Sequence, residues 1–98
     1  MTINKELNGT EMIIALSGRL DTTTAPELEK ECKESLEGIT NLIFDFENLE
    51  YISSAGLRVM LGAQKTMNNQ GTMKVLHVNK VIMEIFDMTG FSDILTIE

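Results

Sequence analysis

The stretch from Leu42 to Leu61 constrains the chain most. Leu42-Ile43-Phe44-Asp45-Phe46 is short, almost wholly apolar and aromatic-bearing, the pattern of a strand covered on both faces. From Leu57 the rhythm changes, and Leu57, Met60, Leu61 and Gln64 recur at helical intervals. Between the two lie a short polar connection and four small residues, Ser53, Ser54, Ala55 and Gly56. A buried strand feeding directly into a helix belongs in an α/β architecture.

The place where that helix starts has its own chemistry. The first turn of a helix carries backbone N–H groups without partners, and serine is favoured there because its oxygen accepts from them. The same N–H groups and the helix dipole tolerate negative charge. A hydroxyl at this point therefore suits either of two roles. It caps the helix, or it carries a phosphate without disrupting its own helix. The small side chains of Ala55 and Gly56 would let another protein approach the backbone closely.

The rest of the chain extends the alternation. Met1–Leu7 and Thr10–Leu20 flank Asn8-Gly9, a strong hairpin signal, so the chain opens with an antiparallel pair. Met12, Ile14 and Leu16 alternate with Ile13, Ala15 and Ser17 as in a strand. Thr24-Ala25-Pro26-Glu27 fits a capping box with proline in the first turn. The helix that follows lines up Ala25, Leu28, Cys32 and Leu36 on one face, and Gly38 ends it. Asn68-Asn69-Gln70-Gly71 stops the central helix, and Met73–Val78 reads as another strand. Asn79 caps a third helix with apolar positions Val81, Ile82, Ile85, Phe86 and Met88, ending at Gly90. Ile94–Ile97 is a last short strand or an ordered tail. The expected fold is thus a single α/β domain over residues 1–98. Its mixed sheet opens with an antiparallel hairpin and continues with alternating strands and helices packed on the sheet, joined by right-handed crossovers.

Composition narrows the function. At 98 residues the chain supports one modest core. Its formal net charge of −7 opposes nucleic acid or an anionic membrane as main partner, since both reward clustered Lys and Arg. No apolar run approaches the ~20 residues of a membrane span, and no signal peptide is visible. With one cysteine, Cys32, no intrachain disulfide can form, and a reducing cytoplasm is the expected location. Cys32 falls on an apolar stripe and reads as a small core residue.

Catalytic and metal constellations are thin. His77 is the sole histidine, in an expected strand, and makes no convincing zinc set with Cys32. Asp45 with Glu47 offers at most a weak hard-cation site, so no metal or cofactor is expected. Ser53 and Ser54 lack the nucleophile-elbow setting of a serine hydrolase. No phosphate-binding glycine loop occurs.

Several segments in order and spacing then carry a resemblance: Gly18-x-Leu20-Asp21, Leu42–Phe46 followed by Leu49, Tyr51-Ile52-Ser53-Ser54-Ala55-Gly56-Leu57, and Phe86-Asp87-Met88-Thr89-Gly90. Over essentially its whole length the chain resembles the STAS-domain family, in particular the small bacterial anti-sigma factor antagonists. The resemblance implies a non-enzymatic binding module. Its partner would be an anti-sigma factor with serine kinase activity, which on binding releases a sigma factor. Phosphorylation of one serine would end the complex, and a serine phosphatase would reset it. The family motif reads Asp-Ser-Ser/Thr-Gly-Leu with the first Ser modified. Register to Gly56 and Leu57 then makes Ser54 the acceptor, with Ser53 the second candidate. Ser53 stands where Asp is usual, and Ala55 where Ser or Thr is usual. The implied partner-binding set is Asp21, Thr22, Thr23, Ser53, Ser54, Ala55, Gly56, Leu57 and Arg58. Two other readings differ from this one: a constitutive adaptor subunit of a transporter or signalling complex, and a small α/β enzyme using Ser54.

Overall fold

The computed structural model describes residues 1–98. Four strands form one sheet in the order β1-β2-β3-β4, with β1 Thr2–Asn8, β2 Glu11–Leu20, β3 Asn41–Ile52 and β4 Thr72–Leu76. β1 and β2 pair antiparallel, and the pairs β2–β3 and β3–β4 are parallel. Each parallel pair is joined through a helix, α1 Ala25–Ser35 and then α2 Ser54–Gln70. α3 Lys80–Thr89 and a 3-10 turn at Phe91–Asp93 complete the chain. The sheet is mixed and opens with the hairpin, as the sequence leads one to expect.

Strand parity decides where the core lies. Met12, Ile14 and Leu16 of β2, Leu42, Phe44 and Phe46 of β3, and Met73 and Val75 of β4 are buried on one face. They form a single apolar cluster with Leu28 and Cys32 of α1, Met60 and Met67 of α2, and Ile82 and Phe86 of α3. The Phe46 and Phe86 rings lie 6.4 Å apart, which seats α3 on that same face. The opposite face carries Ile13, Ala15, Asp45 and Lys74 and has no helix over it. The expected double coverage of Leu42–Phe46 is therefore corrected. Ile43, only 9% exposed, is shielded edge-on by its register partners Ile13 and Lys74 rather than by a second layer.

Local differences have identifiable causes. The hairpin loop is Gly9-Thr10 rather than Asn8-Gly9, because Asn8 still pairs with Glu11. Gly9 alone takes a positive φ of 64°, with glycine at the first loop position as in a II′ turn. The capping box at Thr24 does not form. Thr24 has helical dihedrals and no capping bond, and its hydroxyl instead donates to the Arg19 carbonyl at 2.8 Å. β3 continues to Ile52, past the expected stop at Phe46, and a register shift opposite Ala15 and Ser17 inserts one extra residue between Asp45 and Asn48. β4 ends at Leu76, so His77 leaves the expected strand and adopts φ 59°. Asn79 does cap α3, accepting from the Ile82 N–H at 2.8 Å, and Gly90 ends it at φ 81°. The tail makes one parallel bridge, Ile97 to Val75, and buries Leu95.

Candidate functional site at the start of the second helix

Parallel pairing brings two loops together. Leu20 and Ile52 are register partners at the carboxyl ends of β2 and β3, and the Ser53 N–H extends that ladder to the Leu20 carbonyl at 2.9 Å. Asp21 and Ser53 thus leave adjacent strand ends. In open α/β sheets this end of the strands is where binding surfaces collect.

The loop after β2 is knotted around Asp21. Its Oδ1 accepts from the Thr23 N–H at 3.0 Å, the Thr23 hydroxyl at 2.7 Å and the Thr24 N–H at 3.2 Å. The Thr23 hydroxyl contributes most to holding the Asp21 carboxyl below its ordinary range, so it is ionised at neutral pH. The Thr24 hydroxyl accepts from the Asp21 N–H at 2.8 Å. Thr22 and Thr23 are left exposed at the tip. Arg19 joins this surface, with its guanidinium 4.4 Å above the Tyr51 ring and its Nε 3.9 Å from Asp21 Oδ2. Sequence reading passed over Arg19 and Tyr51. Their one signal was that both close strands that end together.

At α2 the two serines divide the work. Ser53 has extended dihedrals, and its Oγ accepts from the Gly56 N–H at 3.4 Å, so Ser53 is the N-cap and is half-buried. Ser54 is the first helical residue. It is exposed, and its hydroxyl makes no hydrogen bond within the chain. No acidic residue occupies this first turn, whose leading N–H groups lack partners within the helix. Arg58 lies exposed one turn on, at the mouth of a groove of about 600 Å³ between α1 and α2.

The other expected contact residues separate by side. Ala55 is half-buried against the core, whereas Gly56 and Leu57 turn inward. A Cβ on Gly56 would lie 2.7 Å from Leu20 Cγ and 2.8 Å from Ile52 Cγ1. The small residue there admits the chain's own β2 and β3 side chains, not a partner's backbone. Leu57 is 6% exposed and belongs to the core. The outward set is therefore Asp21, Thr22, Thr23, Ser53, Ser54 and Arg58, flanked by Ala55. His77 does not engage either serine; its Nδ1 lies 2.8 Å from Asp45 Oδ1. Burial pushes the Cys32 thiol up to about 12, with Glu31 and Glu29 adding to it, as suits an inert core residue.

Comparison with known proteins gives the family and agrees with the fold. The model of the STAS domain matches residues 2–98, and the chain belongs to that family. The anti-sigma F factor antagonist of Paenibacillus polymyxa is 32% identical over 89 residues, covering 88% of this chain and 76% of the relative. The anti-sigma-B factor antagonist of Bacillus subtilis is 28% identical over 100 residues, covering 99% and 92%. Among solved structures, the anti-sigma factor antagonist SpoIIAA in its unphosphorylated form superposes with a TM-score of 0.78 at 19% identity, covering 99% of this chain and 87% of that one. The Bacillus SpoIIAA in its phosphorylated form gives 0.77 at 19% identity, covering 99% and 91%.

Proposed function

We propose that this protein is an anti-sigma factor antagonist switched by phosphorylation of Ser54. In its unmodified state it binds an anti-sigma factor that is also a serine kinase, and so releases a sigma factor. A serine phosphatase restores the binding form. The observation that carries the reading is the exposed, unpaired Ser54 hydroxyl at the first position of α2, beside the ordered Asp21 loop. Ser53 serves the structure as cap, which leaves Ser54 as the acceptor. The names of the relatives support the antagonist role. SpoIIAA matches this fold equally in both of its forms, which supports a switch that acts without refolding.

The physical mechanism is electrostatic. Phosphate adds about −1.5 to −2 charges at pH 7. The N-terminus of α2 accommodates that charge, a stabilisation of about 0.3–1 kcal/mol, and Arg58 stands one turn away. A partner carboxylate about 6 Å from Ser54, at an effective dielectric near 20, would be repelled by about 4 kcal/mol. Each ~1.4 kcal/mol is tenfold in affinity, so the loss is about a thousandfold. The domain stays folded while the complex opens.

Affinity capture with wild type, Ser54→Ala and Ser54→Asp tests this, followed by kinase reactions with the captured partner and ATP. Wild type and S54A should retain an ATPase-type anti-sigma factor, and S54D should lose it. The kinase should label wild type and Ser53→Ala but not S54A. Equal capture by all three baits together with undiminished labelling of S54A would end the proposal.

A further inference from the structure

On the helix-free face of the sheet, Asp45, Glu47 and His77 converge from positions 32 residues apart in the chain. Asp45 and Glu47 lie two residues apart on β3, and the chain at His77 has just left β4, where Leu76 is the register partner of Asp45. Residues two apart on a strand share a face, and both carboxylates come near the imidazole. One donor atom from each of the three lies within 4.8 Å of the others. His77 Nδ1 and Asp45 Oδ1 are 2.8 Å apart. Neighbouring ligands of a tetrahedral zinc ion, each about 2.0–2.1 Å from it, stand about 3.3–3.4 Å apart, so this hydrogen bond would open by about half an ångström to admit the ion. The three donor atoms are thus close enough to converge on one ion after small side-chain adjustments.

We propose that Asp45, Glu47 and His77 form a binding site for a first-row divalent cation of the zinc type. The donor chemistry selects the class. One imidazole nitrogen with two carboxylates suits zinc or its neighbours, whereas calcium and magnesium prefer oxygen ligands throughout. Three protein ligands on an open sheet face leave the remaining positions to water. Asp45 is half-buried and held by the Glu47 N–H at 3.0 Å, so one ligand is ordered before the ion arrives. The site shares no residue with the surface around Ser53 and Ser54.

The test is calorimetric titration of the full chain with zinc chloride, read together with the ring resonances of His77, which are unambiguous in a protein with one histidine. Wild type should take up one equivalent and shift the His77 resonances in step with the heat. His77→Asn keeps a side chain that tolerates positive φ, and Glu47→Gln preserves shape. Each should weaken zinc binding at least tenfold, with the unfolding midpoint in metal-free buffer close to that of wild type. Zinc should raise Tm for wild type and not for H77N. A wild-type chain that binds no zinc at millimolar metal overturns the proposal. So does zinc binding by H77N and E47Q as tight as that of wild type.

Discussion

Gly56→Ala probes the joint between α2 and the sheet. The added methyl would sit 2.7 Å from Leu20 Cγ, 2.8 Å from Ile52 Cγ1 and 3.1 Å from Leu20 Cδ2. Carbon atoms in contact prefer 3.5–4.0 Å, so the overlap is about 1 Å. Leu20 and Ile52 are 0% and 1% exposed and cannot swing aside. Overpacking of this kind costs about 1–3 kcal/mol, and two buried side-chain carbons closer than the overlap limit place it in the upper part of that range. Alanine returns about 0.8–1 kcal/mol of helix propensity, so the net loss is about 1–2 kcal/mol. With a urea slope near ~1.5 kcal/mol per M, the midpoint should fall by about 1 M. Gly62→Ala is the internal control. It lies exposed in the same helix with nothing within 4 Å of its Cβ, so only the propensity gain applies and its midpoint should rise by about 0.5 M. If G56A matches or exceeds wild type while G62A rises, the packing account of Gly56 is wrong.

Other perturbations separate further claims. Ser53→Ala removes a cap whose bond is long at 3.4 Å, so the loss should be about 0.5–1 kcal/mol, a fall of about 3–6 °C in Tm. Ser53→Asp, which also caps, should keep Tm near that of wild type. Gly71→Ala should cost more than G56A, because its Cβ would overlap the Thr40 backbone carbonyl, which the Thr72 N–H holds at 2.9 Å. His77 is held above its ordinary pKa, first by the hydrogen bond to Asp45 and then by the charges of Asp45 and Glu47. A raised folded pKa stabilises below the unfolded value of ~6.5, and the contribution is lost as pH rises through the folded pKa. Titration of the His77 ring in metal-free buffer should show this, and Asp45→Asn should bring the pKa back toward the ordinary value. At the acid end burial pushes Asp45 up, but bonds from His77 and the Glu47 N–H outweigh it and leave the carboxyl below its usual range. That contribution should disappear as pH falls through the folded Asp45 pKa, and the acid limb of wild-type urea midpoints should show it.

What the sequence made legible was what neighbours along the chain decide. The hairpin, the order of strands and helices, the Asn79 cap and the serines at the start of α2 all follow from spacing within a few residues. The errors have one physical origin, which is competition from partners distant in sequence. Thr24 matched a capping box, yet the Asp21 carboxylate and the Arg19 carbonyl took its bonding capacity. Leu42–Phe46 looked doubly covered because Ile43 is apolar, but a neighbour on each adjacent strand was enough to shield it.

The candidate site shows the same division more sharply. Two serines in a row are equivalent to any local rule, since either can cap a helix. Motif register favours Ser54 as acceptor, and the backbone gives the physical reason the two differ. The Ser53 N–H is committed to Leu20, which holds Ser53 in extended conformation at the end of the β3 ladder and makes it the cap. Ser54 is thereby rotated onto the first turn with its hydroxyl free. A carboxylate at position 53 would cap equally well but would set a negative charge beside any phosphate on Ser54. Serine there keeps the cap and omits the charge that the motif carries beside its modified serine, so S53D, stable as it should be, is expected to be labelled at Ser54 faster than wild type. Equal labelling of S53D and wild type would show instead that position 53 acts through the cap alone.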